Sequence, residues 1–201
     1  MNFDKIWTKE NTTFTLRTLK KLEDDPHLPD IISLIDNRVV NIWSVLPYLA
    51  KSLKVDRYAE LGVRRGFSMA LVGARRKKAH LTGFDLWQPD YGGAPNPGPD
   101  LVRAELKKVG HTGDVELITG DCAETVPAHE GKYPLVLVDA EHTEDGQYRD
   151  ITNAAGLLEK GGYLVVDDLQ DAGVFKAWER AASDLGLEHW AAGRVGVLRG
   201  N

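Results

Sequence analysis

A single cysteine, Cys122, in 201 residues excludes an intrachain disulfide and any cysteine cluster around zinc or iron, and it fits a reducing compartment. Positive charge is not in excess. The 25 Lys and Arg residues face 30 Asp and Glu residues, for a net charge of −5. Phosphate backbones are bound by basic surfaces, so nucleic acid is not an expected partner. No apolar stretch approaches the roughly 20 residues that span a bilayer, and the first residues mix charges without the apolar core of a signal peptide. The expectation is a cytoplasmic protein with no membrane partner. No repeat of fixed period is present.

The length suits one domain with a real core. Residues 1–30 are polar, with Pro26 and Pro29 near their end. Ile31, Leu34, Ile35, Val39, Ile42, Trp43, Leu46, Leu49 and Leu53 then recur at steps of three and four, the spacing of one helix face, with Pro47 expected to kink this segment or open a second helix. Residues 1–54 are therefore expected to form a helical cap, and residues 55–201 the main unit. The basic run Arg75, Arg76, Lys77 and Lys78 is expected to be a solvated helix end, where cations suit the dipole. Trp7, Phe14, Ile42 and Trp43 put apolar surface on the cap, and a homodimer is the expected way to cover it.

From residue 55 onward, short apolar runs alternate with helical stretches. Strands are predicted at 57–61, 80–84, 115–118, 135–138 and 163–166, and helices at 68–76, 101–109, 123–126 and 146–158. This alternation specifies an α/β fold, a doubly wound, mostly parallel sheet with helices on both faces. A helix at 174–185 and two runs at 188–192 and 194–198, parted by Gly193, predict a C-terminal antiparallel hairpin. Residues 88–100 form a long loop rich in proline and glycine, of the kind that serves as a lid.

In such sheets, ligands bind at the carboxyl ends of the strands near the switch in strand order. Each predicted parallel strand has an acid there: Glu60, Asp85, Asp121, Asp139, and the pair Asp167 and Asp168. Gly62 and Gly66 permit a tight turn and close approach of backbone to ligand, but the three-glycine dinucleotide pattern is missing. Glu60 would repel a pyrophosphate and suits a cationic group. Asp85 is placed to accept ribose hydroxyls, with Phe84 or Trp87 as a cover for the base. Asp121 is placed to accept from an adenine amine. Each acid has a second reading as a helix cap. Cys122 reads as a small packing residue.

The runs Tyr58-Ala-Glu-Leu-Gly-Val-Arg-Arg-Gly-Phe-Ser68, Gly83-Phe-Asp85 and Gly120-Asp121 resemble the cofactor motifs of class I S-adenosylmethionine-dependent methyltransferases, over roughly residues 55–200. The resemblance implies the Rossmann-like fold of that class. It also implies a cofactor site made of Glu60, Gly62, Gly66, Ser68, Asp85 and Asp121, with Ser68 at the methionine carboxylate. Val138-Asp-Ala-Glu-His142 and Gly161-Gly-Tyr-Leu-Val-Val-Asp-Asp168 are similar to metal-dependent O-methyltransferases of the catechol and macrolide-sugar types. The Asp-Asp pair, where catechol enzymes carry Asp-Asn, is closer to the sugar type. The resemblance implies a magnesium ion on Asp139, Asp167 and Asp168.

Converging carboxylates are hard ligands for a hard cation, which would acidify and orient an acceptor hydroxyl. His142, three residues after Asp139 and titrating near neutrality, is the expected base, so His142 and Asp139 are the catalytic candidates. The expected activity is methyl transfer to a hydroxyl of a small molecule. A metal-free methyltransferase, a nicotinamide-dependent oxidoreductase and a non-catalytic cofactor-binding protein are the alternatives. No residue names the acceptor.

Overall fold

Strands whose residues alternate between two apolar faces organise the chain around a central sheet. A computed structural model describes residues 1–22, 27–89, 96 and 98–201. The strands are β1 (Arg57–Leu61), β2 (His80–Asp85), β3 (Val115–Thr119), β4 (Tyr133–Val138), β5 (Leu158–Val166), β6 (Glu188–Ala192) and β7 (Val195–Arg199). They lie in the order β3-β2-β1-β4-β5-β7-β6. The first five pair in parallel, and β7 runs antiparallel to both β5 and β6. This is the doubly wound sheet with a closing hairpin that the alternation predicts. Leu135 and Leu137 enter one core and Val136 and Val138 the other, the period of two that buries both faces of a parallel strand.

One face carries a 3-10 turn (Phe3–Trp7) and helices α1 (Lys9–Leu19), α2 (Leu28–Asp36), α3 (Ile42–Ser52), α4 (Phe67–Arg75) and α5 (Pro99–Lys108). The other carries α6 (Cys122–Thr125), α7 (Glu144–Ala155) and α8 (Ala172–Leu185). No helix among the described residues is long and apolar enough to cross a membrane.

The N-terminal reading needs correction. The helical pattern breaks at residues 37–41 and not at Pro47, which lies inside α3. Asn41 opens α3 with a reciprocal cap, its side chain accepting the Ser44 N–H at 3.0 Å, and that cap outweighs the continuity of apolar spacing. The polar first segment is itself helical. Ile6 and Ile42 are fully buried, and Trp7, Phe14 and Trp43 pack partly buried on the same core, so the chain covers much of this apolar surface itself.

The basic run is not simply solvated either. Arg75 stacks over the Phe14 ring at 3.6 Å and donates to Asn11 Oδ1 at 3.0 Å, and Arg76 donates to the carbonyls of Val55 and Lys54. These arginines fasten α1 and the α3–β1 connection to α4. Most of the predicted lid lies outside the described residues, although Gln88 and Asn96 are placed.

Candidate active site

The order of strands reverses between β1 and β4, so the loops leaving these two strands diverge and open a crevice at their carboxyl ends. The backbones meet closely at its floor. Gly62 donates its N–H to Phe84 O, and Asp139 donates its N–H to Leu61 O, both at 2.9 Å. Gly62 has φ +83°, and a Cβ there would stand 2.0 Å from the Asp139 carbonyl oxygen. Glycine is thus required twice, for the backbone conformation and for the close approach. Gly66, at φ +73°, opens α4. A cavity of about 710 Å³ occupies the crevice, within the range usual for small-molecule sites.

Asp85 ties two of these loops together. Its Oδ2 accepts the Arg64 N–H at 2.7 Å and its Oδ1 the Trp87 N–H at 2.5 Å. Both donors sit in the left-handed region, Arg64 at φ 50° and Trp87 at φ 53°, where a side chain costs about 1–3 kcal/mol. The Asp85 carboxylate offsets part of that cost and still lines the cavity. Asp121 lines the cavity as well, and its Oδ1 accepts the Ala123 N–H at 2.8 Å as the cap of α6. The cap reading and a ligand-facing position therefore coexist at this residue. Phe84 is fully buried in the core and cannot cover a ligand. Leu86, and not Trp87, lines the cavity, because the Trp87 indole turns to donate to Thr119 Oγ1.

At the ends of β4 and β5, one donor atom each from Asp139, His142 and Asp168 lies within 4.8 Å of the others. His142 Nε2 stands 3.8 Å from Asp139 Oδ1 and 3.7 Å from Asp168 Oδ2. The Asp139 carboxylate raises the His142 pKa above its usual value, against the effect of burial. Burial raises the pKa of Asp139, with His142 acting against it. Asp167 is buried, its Oδ1 has no hydrogen-bond partner, and burial pushes its pKa well up, with Asp139 and Asp168 adding to the effect. Neither Asp167 nor Asp168 caps α8. That work falls to Asp171, whose Oδ1 accepts the Gly173 N–H at 2.8 Å. The capping explanation for the pair is thereby removed.

Residues 59–169 match a family described as a methyltransferase domain. This chain belongs to that family. A fatty-acid O-methyltransferase of Mycolicibacterium smegmatis is 26% identical over 171 residues, which cover 83% of this chain and 57% of the relative. The O-methyltransferase hkm8 of Aspergillus hancockii is 26% identical over 114 residues, 56% of this chain and 42% of hkm8. The chain thus spans about half the length of these curated relatives. The crystal structure of cofactor-bound Rv0187 from MTB superimposes with a TM-score of 0.63 at 21% identity, covering 89% of this chain and 92% of that one. The O-methyltransferase TomG from Streptomyces achromogenes, solved in complex with SAM, gives 0.61 at 18% identity with both chains fully covered. These two structures share the fold.

Within the methyltransferase crevice, Gly62, Gly66, Ser68, Asp85, Asp121, Asp139, His142, Asp167 and Asp168 all line one cavity. Glu60 does not. It is fully buried beneath Ser68, whose hydroxyl donates to Glu60 Oε1, while the Tyr58 hydroxyl donates to Oε2 at 2.7 Å. Burial pushes Glu60 up to about 8. It supports the wall from beneath Ser68 and does not itself line the cavity.

Two lining residues escape sequence reasoning. Arg194, in the β6–β7 turn, donates through Nη2 to Asp168 Oδ1, a contact between residues far apart in the chain that no local pattern announces. Asp150 lies on the inward face of α7 with Gly146, Gln147, Ile151 and Ala154. A carboxylate on an otherwise buried helical face is a signal that periodicity could have raised.

Proposed function

We propose that this chain transfers the methyl group of S-adenosylmethionine to a hydroxyl oxygen of a small molecule, with one divalent cation, magnesium foremost, assisting at the rim. The observation that carries this reading is the approach of Asp139, His142 and Asp168 to within 4.8 Å, in the same cavity as Gly62, Ser68 and Asp85. On this reading Asp85 accepts the ribose hydroxyls, Gly62, Gly66 and Ser68 hold the methionine end, and Asp121 lies toward the base.

The donor set fits a hard cation. Asp139 and Asp168 offer oxygen ligands within the close group; Asp167 is not in that group, and its buried, unpartnered Oδ1 is the kind of atom that a cation would satisfy. A bound ion would lower the pKa of the acceptor hydroxyl and fix its direction. The protein's own residues do the rest. His142 Nε2 receives the hydroxyl proton as the oxygen bonds to the methyl carbon and the carbon–sulfur bond breaks, leaving S-adenosylhomocysteine. Without the ion, Asp139 and Asp168 stand 3.8 and 3.7 Å from His142 Nε2 and favour its charged form.

Ile31, Leu34 and Trp43 form an apolar wall of the same cavity. The acceptor on this reading has an apolar body that rests on α2 and α3 and presents its hydroxyl toward His142. Residues 1–54 thus act as the acceptor-binding cap. Membership of the methyltransferase family leaves no role for the nicotinamide alternative. The metal-free alternative is favoured by one observation, that Arg194 already pairs with Asp168 as a built-in cation.

The test is methyl transfer to a cognate acceptor in excess EDTA, with and without added magnesium. The expected result is loss of turnover in EDTA and recovery with magnesium, with manganese able to substitute. Equal rates would discard the metal and leave His142 and Arg194 as the groups that act.

A further inference from the structure

The turn between β6 and β7 delivers a positive charge to the acids of the rim. Arg194 Nη2 donates to Asp168 Oδ1, and Arg194 lines the same cavity as Asp139, His142, Asp167 and Asp168. Main-chain bonds hold the turn in place. Arg194 donates its N–H to the Val40 carbonyl and accepts the Leu169 N–H, both at 2.9 Å. The second bond clamps the backbone next to Asp168, which sits in the left-handed region at φ 61°. Arg194 thus fixes Asp168 twice, by its backbone and by its guanidinium, and only the second contact depends on the side chain.

One guanidinium does not satisfy the acids around it. Asp167 Oδ1 is buried and unpartnered, and Asp139 Oδ1 faces His142 Nε2 at 3.8 Å. A divalent cation arriving at this rim meets the positive charge already there. If it ligates Asp168 through Oδ1, it displaces the guanidinium, and a hydrogen bond between two charged groups is lost. If it ligates through Oδ2, it binds beside a guanidinium held on the other oxygen of the same carboxylate, and like charges at that range repel. Both routes lower its affinity. Gln170 Nε2 also donates to Asp168 Oδ1, at 2.6 Å, so the carboxylate keeps a donor when the guanidinium is removed.

We propose that Arg194 contests the cation site at Asp168 and so sets how tightly the protein holds its metal. The proposal rests on the cation reading above and concerns the affinity of the ion, not the transfer step. Arg194 is a positioning residue, because it acts on the ion through Asp168. A guanidinium keeps its charge at every physiological pH, so the competition is always present.

The experiment is titration of the full chain with manganese, without cofactor or acceptor, following the electron paramagnetic resonance of the unbound ion. Manganese accepts the same oxygen ligands as magnesium. Arg194→Met removes the charge and leaves both main-chain bonds of the turn intact. Its affinity for manganese is expected to exceed that of the wild type by roughly tenfold or more, the effect of one unit charge beside a divalent ion at a partly exposed site. Arg194→Lys keeps the charge and is expected to stay within about threefold of the wild type. Thermal denaturation gives a second reading. Manganese should raise the Tm of Arg194→Met more than that of the wild type, because an ion bound more tightly to the folded state stabilises it more. Equal affinities of wild type and Arg194→Met would overturn the proposal. Weaker binding by Arg194→Met would overturn it too, and would show that the guanidinium orders Asp168 for the ion. Tightening by Arg194→Lys as large as that by Arg194→Met would refute competition by charge. Absence of manganese binding in all three proteins would refute the cation reading, and the proposal with it, a result distinct from binding by all three with equal affinity.

Discussion

Replacing Glu60 with glutamine is expected to stabilise the protein at alkaline pH and to leave cofactor affinity nearly unchanged. Glu60 is fully buried, receives hydrogen bonds from the Ser68 and Tyr58 hydroxyls, and is pushed up to about 8 by burial. In the unfolded chain it titrates near 4.5. Between these values the folded state holds a proton that the unfolded state has lost, so unfolding releases a proton and stability falls as pH rises. The slope is about 1.4 kcal/mol per pH unit, and over the gap from 4.5 to about 8 the accumulated loss is roughly 3–5 kcal/mol. The contribution is fully present below the unfolded value and levels off above the folded one.

Glutamine imitates the protonated acid, with one acceptor oxygen and one donor, toward which one of the two hydroxyls turns to accept, and it does not titrate. The assay is denaturant unfolding of both proteins from pH 5 to pH 9. The difference in stability, Glu60→Gln minus wild type, should climb with pH and flatten above about pH 8. Parallel curves would refute the assignment of a buried neutral acid. S-adenosylhomocysteine affinity at pH 7 supplies a second check. A drop of roughly tenfold, about 1.4 kcal/mol, would return Glu60 to the role of an anion facing the cofactor.

His142→Gln is expected to lower turnover by about 10²–10⁴-fold while S-adenosylhomocysteine binds as before, because the base acts on the acceptor. A base must be unprotonated to act, so wild-type kcat/KM should rise with pH as His142 loses its proton. A pH profile unchanged by the substitution would remove His142 from the reaction. Gly62→Ala should destabilise by roughly 2–5 kcal/mol, combining left-handed strain with overpacking, because its Cβ meets the Asp139 backbone at 2.0 Å. Gly66→Ala should cost less, since its Cβ meets the side chain of Val102 and not backbone. Denaturation midpoints that rank the two the other way would contradict the reading of the β1–β4 floor.

The parallel strands, the closing hairpin and the acids that end each strand were legible in the sequence, because each follows from a short-range regularity. Apolar runs bounded by glycine and acid mark buried strands, and the switch from runs to helical spacing specifies crossovers that bring every strand's carboxyl end to one rim. Asp85, Asp139, His142 and Asp168 follow from that logic, as does their shared cavity.

What the sequence left open depends on contacts between distant residues. Glu60 reads like the other rim acids, but its register in β1 carries it under Ser68, where loss of water pushes its pKa up. Asp171, and not the preceding pair, caps α8, which frees Asp167 and Asp168 for the rim. Arg194 reaches Asp168 only because the β6–β7 hairpin folds back beside β5. The burial of Asp150 is set by the packing of α7, which encloses one of its oxygens without a donor. Local spacing determined which groups could meet at the rim, and tertiary burial decided which of them carry charge there, because the cost of removing a carboxylate from water depends on everything packed around it.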